Sequence, residues 1–185
     1  MGLTIFAFEK ARLGYSKKQC KNSQCFLVRP SDRFHKDRID GFKKGYYRAT
    51  GRTMSFDARC HSMSFLDGYG AYNHWRGLLS LLIFGVKPEE VWNNRSKYAG
   101  RPFVELIDMS DCEGAIGPKT SMKLAKDFEG FGKTLTTRKI LRNVRKYGLE
   151  SEFGHIFTRK CWFRDFLLWQ EAFSLASNDG FVVFY

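Results

Sequence analysis

The run Phe181-Val-Val-Phe-Tyr185 constrains the fold more than any other stretch of this chain. Consecutive apolar and aromatic residues with β-branched valines at the centre read as a strand, and such a strand needs cover on both faces. A second apolar run, Leu3 to Phe8, sets Leu3, Ile5 and Ala7 on one face and Phe6 and Phe8 on the other, again a buried strand. Pairing the two runs in one sheet buries both. Between them lie segments with helical periodicity. The expected fold is therefore α+β: a single globular domain over residues 1–185, with about four helices on a small sheet that includes the N- and C-terminal strands. A hydrophobic fraction of 43%, with 16% aromatic residues, offers enough buriable surface to exclude disorder.

The clearest helix runs from Tyr69 to Phe84, with Tyr69, Tyr72, Trp75, Leu78, Leu79, Leu82 and Ile83 on one stripe and Gly85 as its stop. Lys87-Pro-Glu-Glu-Val-Trp92 predicts a short helical turn with Pro in its first turn. Pro118 opens a second long helix, with Met122, Ala125 and Phe128 on its buried face and Gly130 near its end. Thr136 or Thr137 caps a third, in which Ile140, Leu141, Val144 and Tyr147 face inward and Gly148 ends it. Trp162, Phe166, Trp169 and Phe173 mark a fourth over Arg159–Ala176, followed by an Asn178-Asp-Gly180 turn. Arg101 to Ile107 reads as extended and Ser110 to Gly117 as a loop. Cys25–Val28 reads as a strand, and Tyr46–Arg48 and Met54–Phe56 as strands flanking a Gly51-Arg52 turn.

Charge narrows the partners. Lys and Arg number 31 against 19 Asp and Glu, a net +12, which points to an anionic partner. The longest apolar stretch, Leu78 to Val86, is broken by Ser80 and Gly85 and is too short to span a bilayer. The start of the sequence has no basic n-region, and Phe6 stands where a myristoylation signal wants Ser or Thr, so a cytoplasmic protein without membrane attachment is expected. Cys20, Cys25, Cys60, Cys112 and Cys161 lack zinc-ligand spacing, and His35, His61, His74 and His155 are scattered. Reduced thiols, no metal and no cofactor are expected.

Two segments carry candidate chemistry. Gly68-Tyr-Gly-Ala-Tyr-Asn-His-Trp-Arg76 opens the best helix; Asn73 and Arg76 sit three apart, where an amide beside a guanidinium can hold a phosphate or read a base edge. Tyr69 and Tyr72 can stack on a base. The plainer reading makes Tyr72 and Trp75 core and lets Arg76 snorkel. Ser110-Asp-Cys-Glu-Gly-Ala-Ile-Gly-Pro-Lys-Thr-Ser121 brings Asp111 and Glu113 into a glycine-flanked loop, then Lys119, Thr120 and Ser121 into the first turn of a helix. Only Ala115 and Ile116 separate Gly114 from Gly117, so it is not a Walker A loop. Its plainer reading has Ser110 and Asp111 bonding the loop and Thr120 capping the helix. Arg48, Arg52 and Lys119 are candidates to line a shared pocket. The basic run Lys133 to Lys146 reads as a solvated helix face or an anion-binding one.

Tyr72-Asn73-x-Trp75-Arg76, with Tyr69 before it, is followed by Phe103-x-Glu105-Leu106-Ile107-x-x-Ser110-Asp111-Cys112-Glu113-Gly114-x-Ile116-Gly117-Pro118-x-x-Ser121. Together these resemble the motifs of a family of uncharacterised small phage and bacterial proteins, over residues 45–130 or so. Where that family often reads Gly-Ser-Tyr, this chain has Asp67-Gly68-Tyr69. The resemblance implies a site without naming a reaction; a phage origin implies a counter-defence or host-takeover role.

Three functions follow. The first is a phage-type binding protein that sequesters a small phosphorylated ligand, a nucleotide or cyclic oligonucleotide serving as an immune signal, through Arg48, Arg52, Tyr69, Tyr72, Asn73, Arg76, Ser110, Asp111, Glu113, Lys119, Thr120 and Ser121. It needs no catalytic machinery, and the sequence has no nucleophile elbow or Cys/His dyad spacing. Such a protein can act as a homo-oligomer, although the sequence does not fix the number of chains. The second is a nucleotide- or nucleic-acid-processing enzyme using Asp111 and Glu113, with His74 or His61 assisting. The third is a nucleic-acid-binding inhibitor acting through the basic faces. The first two require the tyrosine-rich helix and the acidic loop to face one another across a hollow.

Overall fold

The computed structural model describes residues 4–14, 25–28, 54–64, 68–109, 114–148 and 159–184; the expected strand at Tyr46–Arg48 lies outside them. Strands β1 (Thr4–Gly14), β2 (Cys25–Val28), β3 (Met54–Ser64), β4 (Gly114–Ile116) and β5 (Phe181–Phe184) form one sheet in the order β2-β3-β1-β5-β4, antiparallel at every pairing. Helices are α1 (Gly68–Phe84), α2 (Pro88–Asn93), α3 (Arg95–Tyr98), α4 (Val104–Ile107), α5 (Pro118–Gly132), α6 (Thr137–Lys146) and α7 (Arg159–Ala176). The α+β expectation holds, and the sheet includes both the N- and C-terminal strands.

Those two strands pair directly, Ile5 opposite Phe184 and Ala7 opposite Val182. Side chains alternate across a sheet, so Ile5, Ala7, Val182 and Phe184 share the face that joins the helical core, while Phe8 and Phe181 stack at 4.6 Å on the other. All four β5 residues are buried. β1 runs past Phe8 to Gly14, with a register shift between Glu9 and Arg12 where Lys10 takes φ 54°. The Lys10 N–H donates to the Asn178 carbonyl at 2.8 Å, tying this bulge to the turn before β5. Gly180 completes that turn against Phe8: a Cβ there would lie 1.7 Å from the Phe8 carbonyl oxygen, so only glycine fits. β3 likewise extends well beyond the expected Met54–Phe56.

The core is aromatic. Trp75 on α1 stacks on Trp162 of α7 at 5.7 Å, and each indole N–H donates to the other's carbonyl, at 3.2 and 3.1 Å. This exchange lets two large rings be buried without an unsatisfied donor. Trp169 bridges to the sheet, 5.6 Å from Tyr72 and 5.3 Å from Phe184. Two inward assignments are corrected. Met122 is 48% exposed because the buried stripe of α5 runs through Ser121, Leu124 and Phe128, and Leu141 is 40% exposed because α6 buries Ile140 one position away.

Residues 101–107 are not extended, and residues 114–116 are a strand inside the expected loop. Phe103 sits at φ 60°, a left-handed conformation uncommon outside glycine, with its ring 4.8 Å from Phe128 and edge-on to it. Its N–H donates to Asp127 Oδ2 at 2.9 Å. Asp127 also pairs with Lys123 at 3.1 Å, and Lys123 Nζ in turn meets Glu105 and the Arg101 carbonyl. This cluster turns the chain after Arg101 and lets Val104 start a helix. β4 exists because β5 offers it an edge: Gly114 faces Phe184 and Ile116 faces Val182. Among the described residues no helix is long and apolar enough to cross a membrane.

Candidate functional site

A four-residue helix supplies few donors for its own last carbonyls, and α4 takes further ones from side chains of α1 and α2. Tyr72 Oη donates to the Leu106 carbonyl at 2.8 Å, Trp92 Nε1 to Ile107 at 3.0 Å, and Arg76 Nη1 to Met109. The Arg76 guanidinium also lies 5.1 Å from the Tyr72 ring centroid and 4.9 Å from that of Trp92. Three side chains thereby fix the main chain up to the residue before Ser110.

That arrangement corrects the expected roles of Tyr72 and Arg76. Tyr72 is 1% exposed and Arg76 6%, and both bond to the protein's own main chain, so neither offers a surface to a ligand. The chemistry that suits them to a base or phosphate suits them equally to main-chain carbonyls. Thr120 and Ser121 are corrected too. Both are buried; the Ser121 hydroxyl points back to the Ile116 carbonyl at 3.5 Å, and the N-cap of α5 is Gly117, not Thr120.

Beside this frame the exposed Arg95 pairs with Asp108 at 3.1 Å. Asn73 is half-buried and lies about 60° around α1 from Arg76; His74 is exposed. Gly70 and Gly77 sit on the same side of α1, and a Cβ at either would meet nothing within 4 Å. Lys119, in the first turn of α5, is exposed. Tyr69 belongs to α1 by its backbone. Arg48, Arg52, Ser110, Asp111 and Glu113 lie outside the described residues, as do Cys20 and Cys112. The segment 110–113 leaves from Met109, held by Arg76, and returns at Gly114, held in the sheet opposite Phe184. The two motif segments meet at its anchors, through Tyr72 with Leu106 and Arg76 with Met109.

Sequence reasoning passed over Trp92 and the Glu105–Lys123–Asp127 cluster. The i, i+4 spacing of Lys123 and Asp127 is a visible ion-pair signal, whereas nothing local links Trp92 to Arg76. Among the described residues no three His, Cys, Asp or Glu side chains converge on a metal-sized space. Comparison with protein-family models, curated proteins and solved structures finds no match to this chain.

Proposed function

We propose that this chain is a cytoplasmic binding protein that captures a small anionic, nucleotide-derived ligand and withholds it unchanged, in the manner of a phage-encoded sponge for an immune signal. The observation that carries the reading is the Arg76 bond to the Met109 carbonyl, which ties the residue before Ser110 to α1. Asn73 on α1 lies about 60° around the helix from Arg76, and Lys119 stands exposed just past β4, where the segment returns to the sheet. Asp111 and Glu113 are proposed to accept hydrogen bonds from ribose hydroxyls or nucleobase amines, with Lys119, Arg48 and Arg52 meeting phosphate. The net charge of +12 raises the local concentration of such a ligand. Tyr72, Arg76, Thr120 and Ser121 shape the site without touching the ligand.

The test is thermal denaturation with ATP, cyclic AMP and cyclic di-AMP in turn, followed by heat release and chromatography of the nucleotide. At 100-fold excess over Kd, capture adds about 2.7 kcal/mol, a rise in Tm of about 5–10 °C for a chain of this size. Lys119→Glu should abolish the rise without lowering the Tm of the free protein. Failure of every nucleotide to shift Tm overturns the proposal. An altered nucleotide in the released fraction also overturns it, in favour of an enzyme using Asp111 and Glu113.

A further inference from the structure

Helix α6 presents a second basic surface, separate from the ligand site proposed above. Residues 130–149 carry six Lys and Arg side chains and no Asp or Glu. In α6 the buried side belongs to Ile140, with Val144 and Tyr147 packed against the core, so the cations are forced onto the opposite arc. Arg138, Arg142, Arg145 and Lys146 are all exposed. At 100° per residue they fall within an arc of roughly 100°, and at 1.5 Å per residue they span about 12 Å along the axis. Lys133 beside the row pairs with Glu129 at 2.9 Å, holding that carboxyl below its usual range, while Lys139 and Lys146 lie 4.8 and 5.0 Å from the Phe131 and Tyr147 ring centroids.

The helix is held firmly enough to present this row. Thr136 caps it by accepting from the Lys139 N–H at 3.2 Å, and Tyr147 Oη reaches the Gly85 carbonyl at the end of α1 at 3.1 Å. Three of the four exposed cations are arginines, whose planar forks match phosphate geometry better than ammonium groups do. The apolar side of α6 is already packed inside the protein, so this helix cannot sink into lipid as an amphipathic membrane helix would. An anion array of fixed spacing fits it instead.

We infer that the Arg138–Arg142–Arg145–Lys146 row of α6 docks the phosphate backbone of a nucleic acid duplex, without reading its sequence. The test measures anisotropy of a fluorescein-labelled DNA duplex of about 20 base pairs against the full chain, between about 50 and 200 mM NaCl. Four phosphate contacts give a slope of log Kobs against log salt of about −3.6, and Arg138→Gln with Arg142→Gln should shallow it by about 1.8. Lys87→Gln with Lys126→Gln removes the same charge from α5 and the residue before α2, and should leave the slope nearly unchanged. Equal losses in the two double variants overturn the inference, because net charge would then explain binding. Binding to phosphatidylglycerol vesicles but not to the duplex overturns it in favour of a membrane surface, and absence of binding at the lowest salt overturns it outright. Nucleotide-induced stabilisation should survive in the α6 variant, so failure of this inference is distinguishable from failure of the capture proposal.

Discussion

Arg76 decides how the candidate site is built. Its guanidinium donates to the Met109 carbonyl and lies against the Tyr72 and Trp92 rings, nine-tenths out of water. Removing it leaves a buried carbonyl without its charged donor and two rings without their cation, so Arg76→Ala should cost about 2–4 kcal/mol in urea denaturation. Arg76→Lys should recover only part of this, since an ammonium cannot stack and donate in one plane. A variant that kept full stability would return Arg76 to the role of a ligand contact. Sequence reasoning favoured that role for Tyr72 and Arg76 because it sees donors and rings but not acceptors. The carbonyls of Leu106, Ile107 and Met109 become conspicuous only once α4 is known to be four residues long.

Elements whose signals are local were legible. Helices α1 and α7 run to Phe84 and Ala176 as their aromatic stripes predict, and Gly85 ends α1 in a left-handed turn at φ 73°. β4 was hidden because three residues have no periodicity of their own, and its partner lies 70 positions away where Gly114 meets Phe184. The turn at Phe103 was hidden for a similar reason: its left-handed backbone depends on Asp127, 24 residues later on α5. Asp127→Ala should therefore loosen α4 from α5 and cost about 1–3 kcal/mol, while Asp127→Asn, which keeps an acceptor for the Phe103 N–H, should cost less. Thermal denaturation of the two variants side by side checks the order. Equal losses would shift the weight from the Phe103 bond to the Lys123 pair.

For the whole molecule, the basic excess bears on stability. With 31 cationic side chains against 19 anionic ones, repulsion across the surface opposes the compact state. Raising NaCl from about 20 to 200 mM shortens the Debye length from about 20 Å to below 8 Å and should raise Tm; a fall would mean that the exposed ion pairs outweigh the repulsion. The excess itself was legible in the sequence, whereas the separation between α6 and the α1–α4 junction was not, because it depends on which side of each helix is buried. That partition extends to the tryptophans. Trp75, Trp162 and Trp169 are sealed in the core, but Trp92 is only half-buried, and its indole holds the Ile107 carbonyl two residues from Met109. Its fluorescence is therefore an intrinsic optical reporter placed beside the Met109 anchor. With the other three indoles silent to surface events, a change in emission colour on adding a small molecule would register occupancy there, while loss of the whole aromatic signal would register melting.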